Sequence, residues 1–166
     1  MLINRLIFLI ITIVLFGCSN LEFVYDYKEN IKLFNGKTTV STSGDDSDLL
    51  SSYIYSKLRP PKNNDSIYRL EIKSTKDVKA SVIEKDATAS KFSTKYNIRY
   101  KLKNNTNNCL LIDKKITTES FYDAKSSGYS FGTDVSEKES SIKNMQSNVD
   151  EFLRILAFEE LNSNCL

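Results

Sequence analysis

A long stretch of strict alternation in the middle of the chain constrains the fold more than any other feature. Apolar, aromatic or β-branched side chains occupy one set of positions: Phe92, Thr94, Tyr96, Ile98, Tyr100 and Leu102. Polar and mostly basic side chains fill the positions between them: Lys91, Ser93, Lys95, Asn97, Arg99, Lys101 and Lys103. A period of two residues indicates a β-strand with one buried and one solvated face. Such a strand needs a sheet beside it and a layer that covers its apolar face.

Three further segments are predicted as strands of the same sheet. The first is the short β-branched run at 37–42 (KTTVST). The second alternates from residue 67 and continues irregularly over 67–82. The third covers 110–122, and the polar turn at 103–108 (KNNTNN) predicts that it forms an antiparallel hairpin with the central strand.

Two amphipathic segments are predicted as helices. Apolar residues at helical spacing over 49–58 predict the first, which one of the residues 46–48 could cap and which the prolines at 60–61 end. A longer helix is predicted from Asp134, because Asp134 and Glu137 resemble a capping box. Its apolar stripe steps by three and four residues: Ile142, Met145, Val149, Phe152 and Leu156.

The predicted order of elements is therefore β-α-β-β-β-α. Each helix has one apolar face, and so does the sheet, so the economical packing places both helices on the same side of it. We expect a single α+β domain over 37–166, with two helices packed on one face of a mainly antiparallel four-stranded sheet. Residues 18–36 are predicted as an irregular tether that leads into this domain.

The first residues have the pattern of a bacterial lipoprotein signal. A short polar start with Arg5 precedes an apolar run at 6–16, which is shorter than the about 20 residues needed to span a membrane. The sequence at 15–18 (LFGC) resembles a lipobox, which predicts that 1–17 is removed and that lipid on Cys18 anchors the chain. The alternatives to a lipoprotein signal are an ordinary secretory signal, in which the cysteine is incidental, and a transmembrane anchor. By resemblance to lipoprotein sorting in enteric bacteria, where an aspartate after the cysteine retains a lipoprotein in the inner membrane, Ser19 favours the outer membrane.

The composition narrows the possible chemistry. The chain has no histidine, which excludes serine–histidine and cysteine–histidine nucleophiles and removes the commonest metal ligand. Its five glycines form no phosphate-binding loop, and a net charge of +2 predicts no nucleic-acid partner. The acidic segment at 44–48 (GDDSD) lacks calcium-loop spacing and is interpreted as a helix cap. We therefore expect a protein that is not an enzyme, with no cofactor and no metal site.

Two cysteines remain if Cys18 carries lipid. Cys109 and Cys165 could form a disulfide in an oxidising compartment, or they could stay apart as buried thiols. The sequence does not supply the distance on which a disulfide depends.

The basic face of the central strand is the one candidate binding surface. Local positive charge can attract phosphorylated lipid headgroups even when the net charge is low. The alternative is a solvated sheet face, whose charge is balanced by acidic neighbours such as Asp113 and Glu119 on the facing strand.

An ordered set of short motifs resembles the lipopolysaccharide-assembly lipoprotein family, LptE. The first motif is the cysteine segment at 16–19 (FGCS). The second is 86–91 (DATASK), followed by the alternating strand that ends in Tyr-x-Leu at 100–102. The third is 120–123 (SFYD), then 128–131 (GYSF), before an acidic start to the last helix.

The resemblance implies an outer-membrane lipoprotein that faces the periplasm. Such a protein lies in the lumen of the β-barrel LptD as its plug and assembly partner, and it binds lipopolysaccharide as the lipid passes. The basic position of the family falls on Lys91, and Lys91, Lys95 and Arg99 are the residues expected to pair with lipid phosphates. Two alternatives stay open: an auxiliary lipoprotein of a lipid-transport ABC system, and a structural envelope lipoprotein.

Overall fold

A computed structural model gives the arrangement of the chain. It describes residues 28–62, 66–86, 89–124 and 130–159, together with Leu161 and Cys165. The predicted signal segment 1–17 and the predicted lipid attachment at Cys18 lie outside the described residues.

Four strands form one sheet, in the spatial order β1-β2-β3-β4. They are β1 (Thr38–Gly44), β2 (Tyr68–Ile83), β3 (Ala89–Asn104) and β4 (Leu110–Asp123). β1 lies parallel to β2, whereas β2 with β3 and β3 with β4 are antiparallel pairs. The predictions of a mainly antiparallel four-stranded sheet and of a hairpin between the last two strands are confirmed.

The sequence prediction missed a short helix ahead of the sheet. The helices are α1 (Lys28–Phe34), α2 (Ser47–Lys57) and α3 (Ser130–Phe158), which makes the order α-β-α-β-β-β-α. Residues 28–34 had been interpreted as part of an irregular tether. Phe34 is fully buried, and the centroid of its ring lies 4.8 Å from that of Tyr68. Asn30 donates to the Ala157 carbonyl oxygen at 3.1 Å, so tertiary contacts order a helix too short to be stable alone.

Both predicted helices begin differently from what the sequence suggested. Asp46 occupies the N-cap position of α2 in the left-handed region, with φ 52°, and its side chain makes no capping bond. Its carboxylate instead accepts a hydrogen bond from the Tyr96 hydroxyl. The capping box predicted at Asp134 and Glu137 was wrong, because α3 already begins at Ser130 and both residues lie inside it.

The two long helices cover one face of the sheet. α2 packs against β1, and α3 packs against β3 and β4. Of the alternating positions predicted to face the core, all but Phe92 are buried there, and Phe92 is half-buried. The ring of Tyr100 stacks on that of Phe152 with centroids 4.1 Å apart. The centre of the core is formed by aliphatic side chains from every layer: Leu50, Ile54, Leu70, Ile72, Ile98, Leu102, Val149 and Leu156.

A row of buried polar side chains on α3 runs beside its apolar stripe. Asn144 donates to the Thr94 carbonyl oxygen at 2.6 Å, and Asn148 donates to the Ile116 carbonyl oxygen at 3.2 Å. The hydroxyl of Tyr100 donates to the Asn148 side-chain oxygen at 2.8 Å. Because buried polar groups must be paired, these bonds fix how far α3 can slide along the sheet.

A disulfide joins the two cysteines downstream of Cys18. Cys109 and Cys165 are bonded, with Cα atoms 5.4 Å apart and a sequence separation of 56. The Cys165 carbonyl oxygen also accepts a hydrogen bond from the Asn104 side chain at 2.9 Å. A cross-link that closes a loop of this length stabilises a fold by about 4 kcal/mol in the chain-entropy treatment.

Replacing Asn148 by alanine should destabilise the domain by about 2–4 kcal/mol, because it leaves buried partners on β3 and β4 without a hydrogen bond. Urea unfolding followed by circular dichroism measures the change in the free energy of unfolding. Ser147→Ala, at the neighbouring exposed position of the same helix, is the matched control and should change it by less than about 0.5 kcal/mol. Equal stabilities for the two variants would contradict the structural role of Asn148.

Candidate functional site

The face of the sheet that the helices leave uncovered carries most of the charged residues of the strands. Successive residues of a strand point to opposite faces, so alternate residues of each strand share this surface. Basic side chains outnumber acidic ones on it. The basic residues are Arg69, Lys73, Lys79, Lys91, Lys95, Arg99, Lys101, Lys103 and Lys115. The acidic residues are Glu71, Asp77, Asp113, Glu119 and Asp123. We call this surface the open face.

Part of the open face is organised in rows of alternating charge across the strands. Two such rows run acidic, basic, acidic over β2, β3 and β4: Glu71–Lys101–Asp113 and Asp77–Lys95–Glu119. Opposite charges directly across a strand pair stabilise the pairing, so these rows explain how one strand tolerates so many basic residues. The acidic neighbours that the sequence analysis named, Asp113 and Glu119, belong to them.

Like charges also meet directly across the strands. Arg69 on β2 lies opposite Lys103 on β3, whose ammonium group contacts Glu71 at 3.1 Å, and one further row carries a basic residue on all three strands. Lys73, Arg99 and Lys115 lie directly opposite one another on β2, β3 and β4, and like charges in this position repel. Arg99 is turned toward Asp113, with two hydrogen bonds of 2.7 Å each. Within the described part of the chain, Lys73 and Lys115 form no ion pair. Their charge is therefore available to an external anion.

The three basic residues predicted as a lipid site lie on the open face but do not converge. Lys91, Lys95 and Arg99 are separated by four residues each, which spaces them about 13 Å apart along β3. The Lys91 ammonium nitrogen lies 5.6 Å from the centroid of the Phe121 ring, a cation–π arrangement. Of the three, only Arg99 belongs to the like-charged row.

Sequence reasoning missed the two lysines that flank Arg99. Lys73 and Lys115 belong to other strands, and only the register of the sheet brings them level with Arg99. A shallow depression of about 460 Å³ lies on the same surface beside β1. Ser41, Ser43 and Lys73 help to line it, as does Glu71, whose carboxylate contacts Lys103 at 3.1 Å. Hydroxyl and ammonium groups of this kind bind phosphate oxygens.

A second polar cluster lies on the helix side, near the start of α2. The Lys76 ammonium nitrogen is 3.3 Å from a Glu137 carboxylate oxygen and 3.8 Å from one of Asp46. The Tyr122 hydroxyl donates to Glu137 at 3.3 Å, and burial together with the charge of Glu137 raises the pKa of Tyr122 to about 12. Lys76 thus offsets part of the negative charge of the two carboxylates, and Lys76, Asp46 and Glu137 line a cavity of about 350 Å³. Among the described residues, no cluster of three or more acidic or cysteine side chains could hold a metal ion.

The pairing of Arg99 with Asp113 has a measurable electrostatic signature. The hydrogen bond from Arg99 lowers the pKa of Asp113 below its ordinary value, and the charge of Arg99 acts in the same direction. Both side chains are exposed enough that solvent screens the pair, so its contribution to stability is small. Its role is to hold Arg99 away from Lys73 and Lys115.

Arg99→Gln should raise the pKa of Asp113 toward its ordinary value of about 3.9, because the carboxylate loses its charged donor. A carbon-detected NMR titration of the Asp113 carboxyl measures this shift. The related stabilisation is present above the ordinary pKa and is lost as the pH falls through the lowered one. Lys95→Gln is the matched control and should leave the Asp113 titration in place; an unchanged pKa in Arg99→Gln would show that the pair does not form in solution.

In the described residues, no helix combines the length and apolar character needed to cross a membrane. Comparison with models of known protein families and with sequences of curated proteins gives no match.

Solved structures do share the fold. A protein described as a lipoprotein of Caulobacter crescentus CB15 aligns with a TM-score of 0.59 at 13% identity, over 78% of this chain and 93% of that one. A minor lipoprotein of Acinetobacter baumannii gives 0.56 at 13% identity, over 76% and 93%. The rare lipoprotein B of Shewanella oneidensis gives 0.51 at 10% identity, over 71% and 92%. The chain therefore has the fold of proteins described as lipoproteins, and it spans nearly their whole solved domains.

Proposed function

We propose that this chain is an outer-membrane lipoprotein, anchored by lipid on Cys18, that assembles with an LptD-type β-barrel and binds lipopolysaccharide during its transport to the cell surface. One observation carries the proposal. A lipobox at 15–18 precedes a domain whose fold agrees with solved lipoproteins over about nine-tenths of their length.

The positions of the family-like motifs support a shared site. The motif at 86–91 leads into β3, and the motif at 120–123 ends β4. The two meet at one end of the sheet, where Lys91 pairs directly with Asp123 and the Ser90 carbonyl oxygen accepts from the Ala124 amide at 2.9 Å. Segments far apart in sequence thus place the family-like basic residue, Lys91, beside a second family-like element.

The charge of the open face supports an anionic ligand. Lys73 and Lys115 of the like-charged row form no ion pair with any residue in the described ranges, and Lys91 and Lys95 form none either, although each of these two lies level with a carboxylate on a neighbouring strand. The like charges of this row repel one another, and phosphate groups of lipid A or of the core sugars would relieve that repulsion by charge pairing. The mechanism is binding and release, in which the protein makes and breaks no covalent bonds.

The partner is tested by isolating the full chain from detergent-solubilised envelopes and identifying what accompanies it by mass. We expect a large outer-membrane β-barrel in near-equal amount. Cys18→Ser is the control for anchoring, because it removes the lipid acceptor and should shift the chain out of the membrane fraction. Recovery of an inner-membrane transporter or its shuttle protein would favour the ABC-system alternative, and recovery of neither would contradict the proposal.

Lys91→Glu should weaken binding of lipopolysaccharide about three- to tenfold, as expected for reversal of one exposed charge. Fluorescence titration with labelled lipopolysaccharide measures the affinity, and thermal melting checks that the variant is folded. Lys32→Glu, an exposed position on α1, is the matched control because it changes the net charge equally at the other end of the sheet, where Phe34 of α1 packs on Tyr68. Equal affinity of Lys91→Glu and the native chain would rule out the assignment of Lys91.

A further inference from the structure

β2 extends well beyond the strand that pairs with its outer edge. β1 pairs only with residues 68–74 of β2 and then ends at Gly44, whose φ is 93°. A side chain at Gly44 would collide with the Ser74 carbonyl oxygen, so glycine is required where the chain turns away. Asp45 directly follows the last paired residue of β1, and its carboxylate accepts a hydrogen bond from the Lys76 amide at 2.7 Å. In the described part of the chain, no strand pairs with β2 further along this edge.

The unpaired part of this edge is short and regular. The Lys76 amide points toward the β1 side, and because the direction of backbone groups alternates along a strand, those of Val78 and Ala80 point the same way. A β-bulge follows between Ala80 and Val82 and ends the regular stretch. The edge segment is therefore residues 76–80, in which the Lys76 amide is bonded to Asp45 and no strand among the described residues pairs with the backbone of Val78 or Ala80; Val78 lies at its centre and is 39% exposed.

The charges on this edge are complementary to themselves. Asp77 and Lys79 lie on either side of Val78 and point to the open face, where they contact each other at 2.6 Å. In an antiparallel pairing centred on Val78, Asp77 of each copy faces Lys79 of the other. A register centred on residue 79 would instead place two lysines opposite each other, which is unfavourable.

We propose that the edge 76–80 pairs with the same edge of a second copy of this chain, antiparallel and about a two-fold axis at Val78. A two-fold interface requires a self-complementary surface, which the order Asp77, Val78, Lys79 provides. The amide of each Val78 donates to the carbonyl oxygen of the other, and the two four-stranded sheets join into a single sheet of eight strands. An interface this small buries less than about 1,200 Å², so the association is weak and depends on concentration.

The test is sedimentation equilibrium of the full chain in a density-matched detergent, up to about 100 μM, a range suited to an interface of this size. The native chain should show a mass that rises toward twice 19.0 kDa with concentration. Asp77→Lys and Lys79→Asp each place like charges opposite each other, so each variant alone should remain a monomer. Mixed in equal amounts they should form a heterodimer, because one chain then carries two lysines and the other two aspartates.

Cysteine cross-linking tests the register independently. Val78→Cys should give a disulfide-linked dimer under mild oxidation, whereas Thr75→Cys and the native chain, treated in the same way, should not. Thermal melting of each charge variant checks that the fold is intact. A native chain that stays monomeric at every concentration would overturn the proposal, and so would charge variants that dimerise as well as the native chain. Failure of the mixture to associate, or equal cross-linking at 75 and 78, would also overturn it.

Discussion

The helices cover only one face of the sheet, and the rest of the structure depends on this constraint. Stacking of Tyr100 on Phe152, with ring centroids 4.1 Å apart, ties the central strand to the last helix and sets which positions of β3 face the core. The period of a strand is two, so a slip of one residue would exchange buried and exposed positions along the whole strand. The distribution of charge on the open face is thus a direct result of how the apolar side is packed.

The architecture could be predicted from periodicity, because both the alternation of β3 and the apolar stripe of α3 depend only on the types of side chain. Other features depend on which residues meet across elements. Asn144 and Asn148 look like part of a solvated helix face in sequence, and they are buried only because β3 and β4 offer carbonyl and hydroxyl partners at that depth. Helix α1 was missed for a similar reason, since contacts of Asn30 and Phe34 with distant residues order it.

The candidate site was predictable in part. The open face and its basic residues on β3 follow from the sequence, whereas the like-charged row Lys73–Arg99–Lys115 depends on the registers of two strand pairs. A sequence shows how many charges a strand carries, but it does not show which charges on the neighbouring strands oppose them. On this surface some lysines lie opposite a carboxylate, so the lysines that neither face nor contact one, Lys73 and Lys115, matter more than the total.

The positions of the two cysteines along the chain decide when the disulfide can form. Cys109 precedes β4, whereas Cys165 follows every described strand and helix in chain order. Asn104, beside Cys109, holds the backbone of Cys165 by a hydrogen bond, so native contacts bring the two thiols together. Oxidation can therefore occur only after every described strand and helix has been synthesised, and the bond then stabilises the domain by restricting the unfolded chain. Until then Cys109 is a thiol without its partner, open to exchange with other thiols in an oxidising compartment.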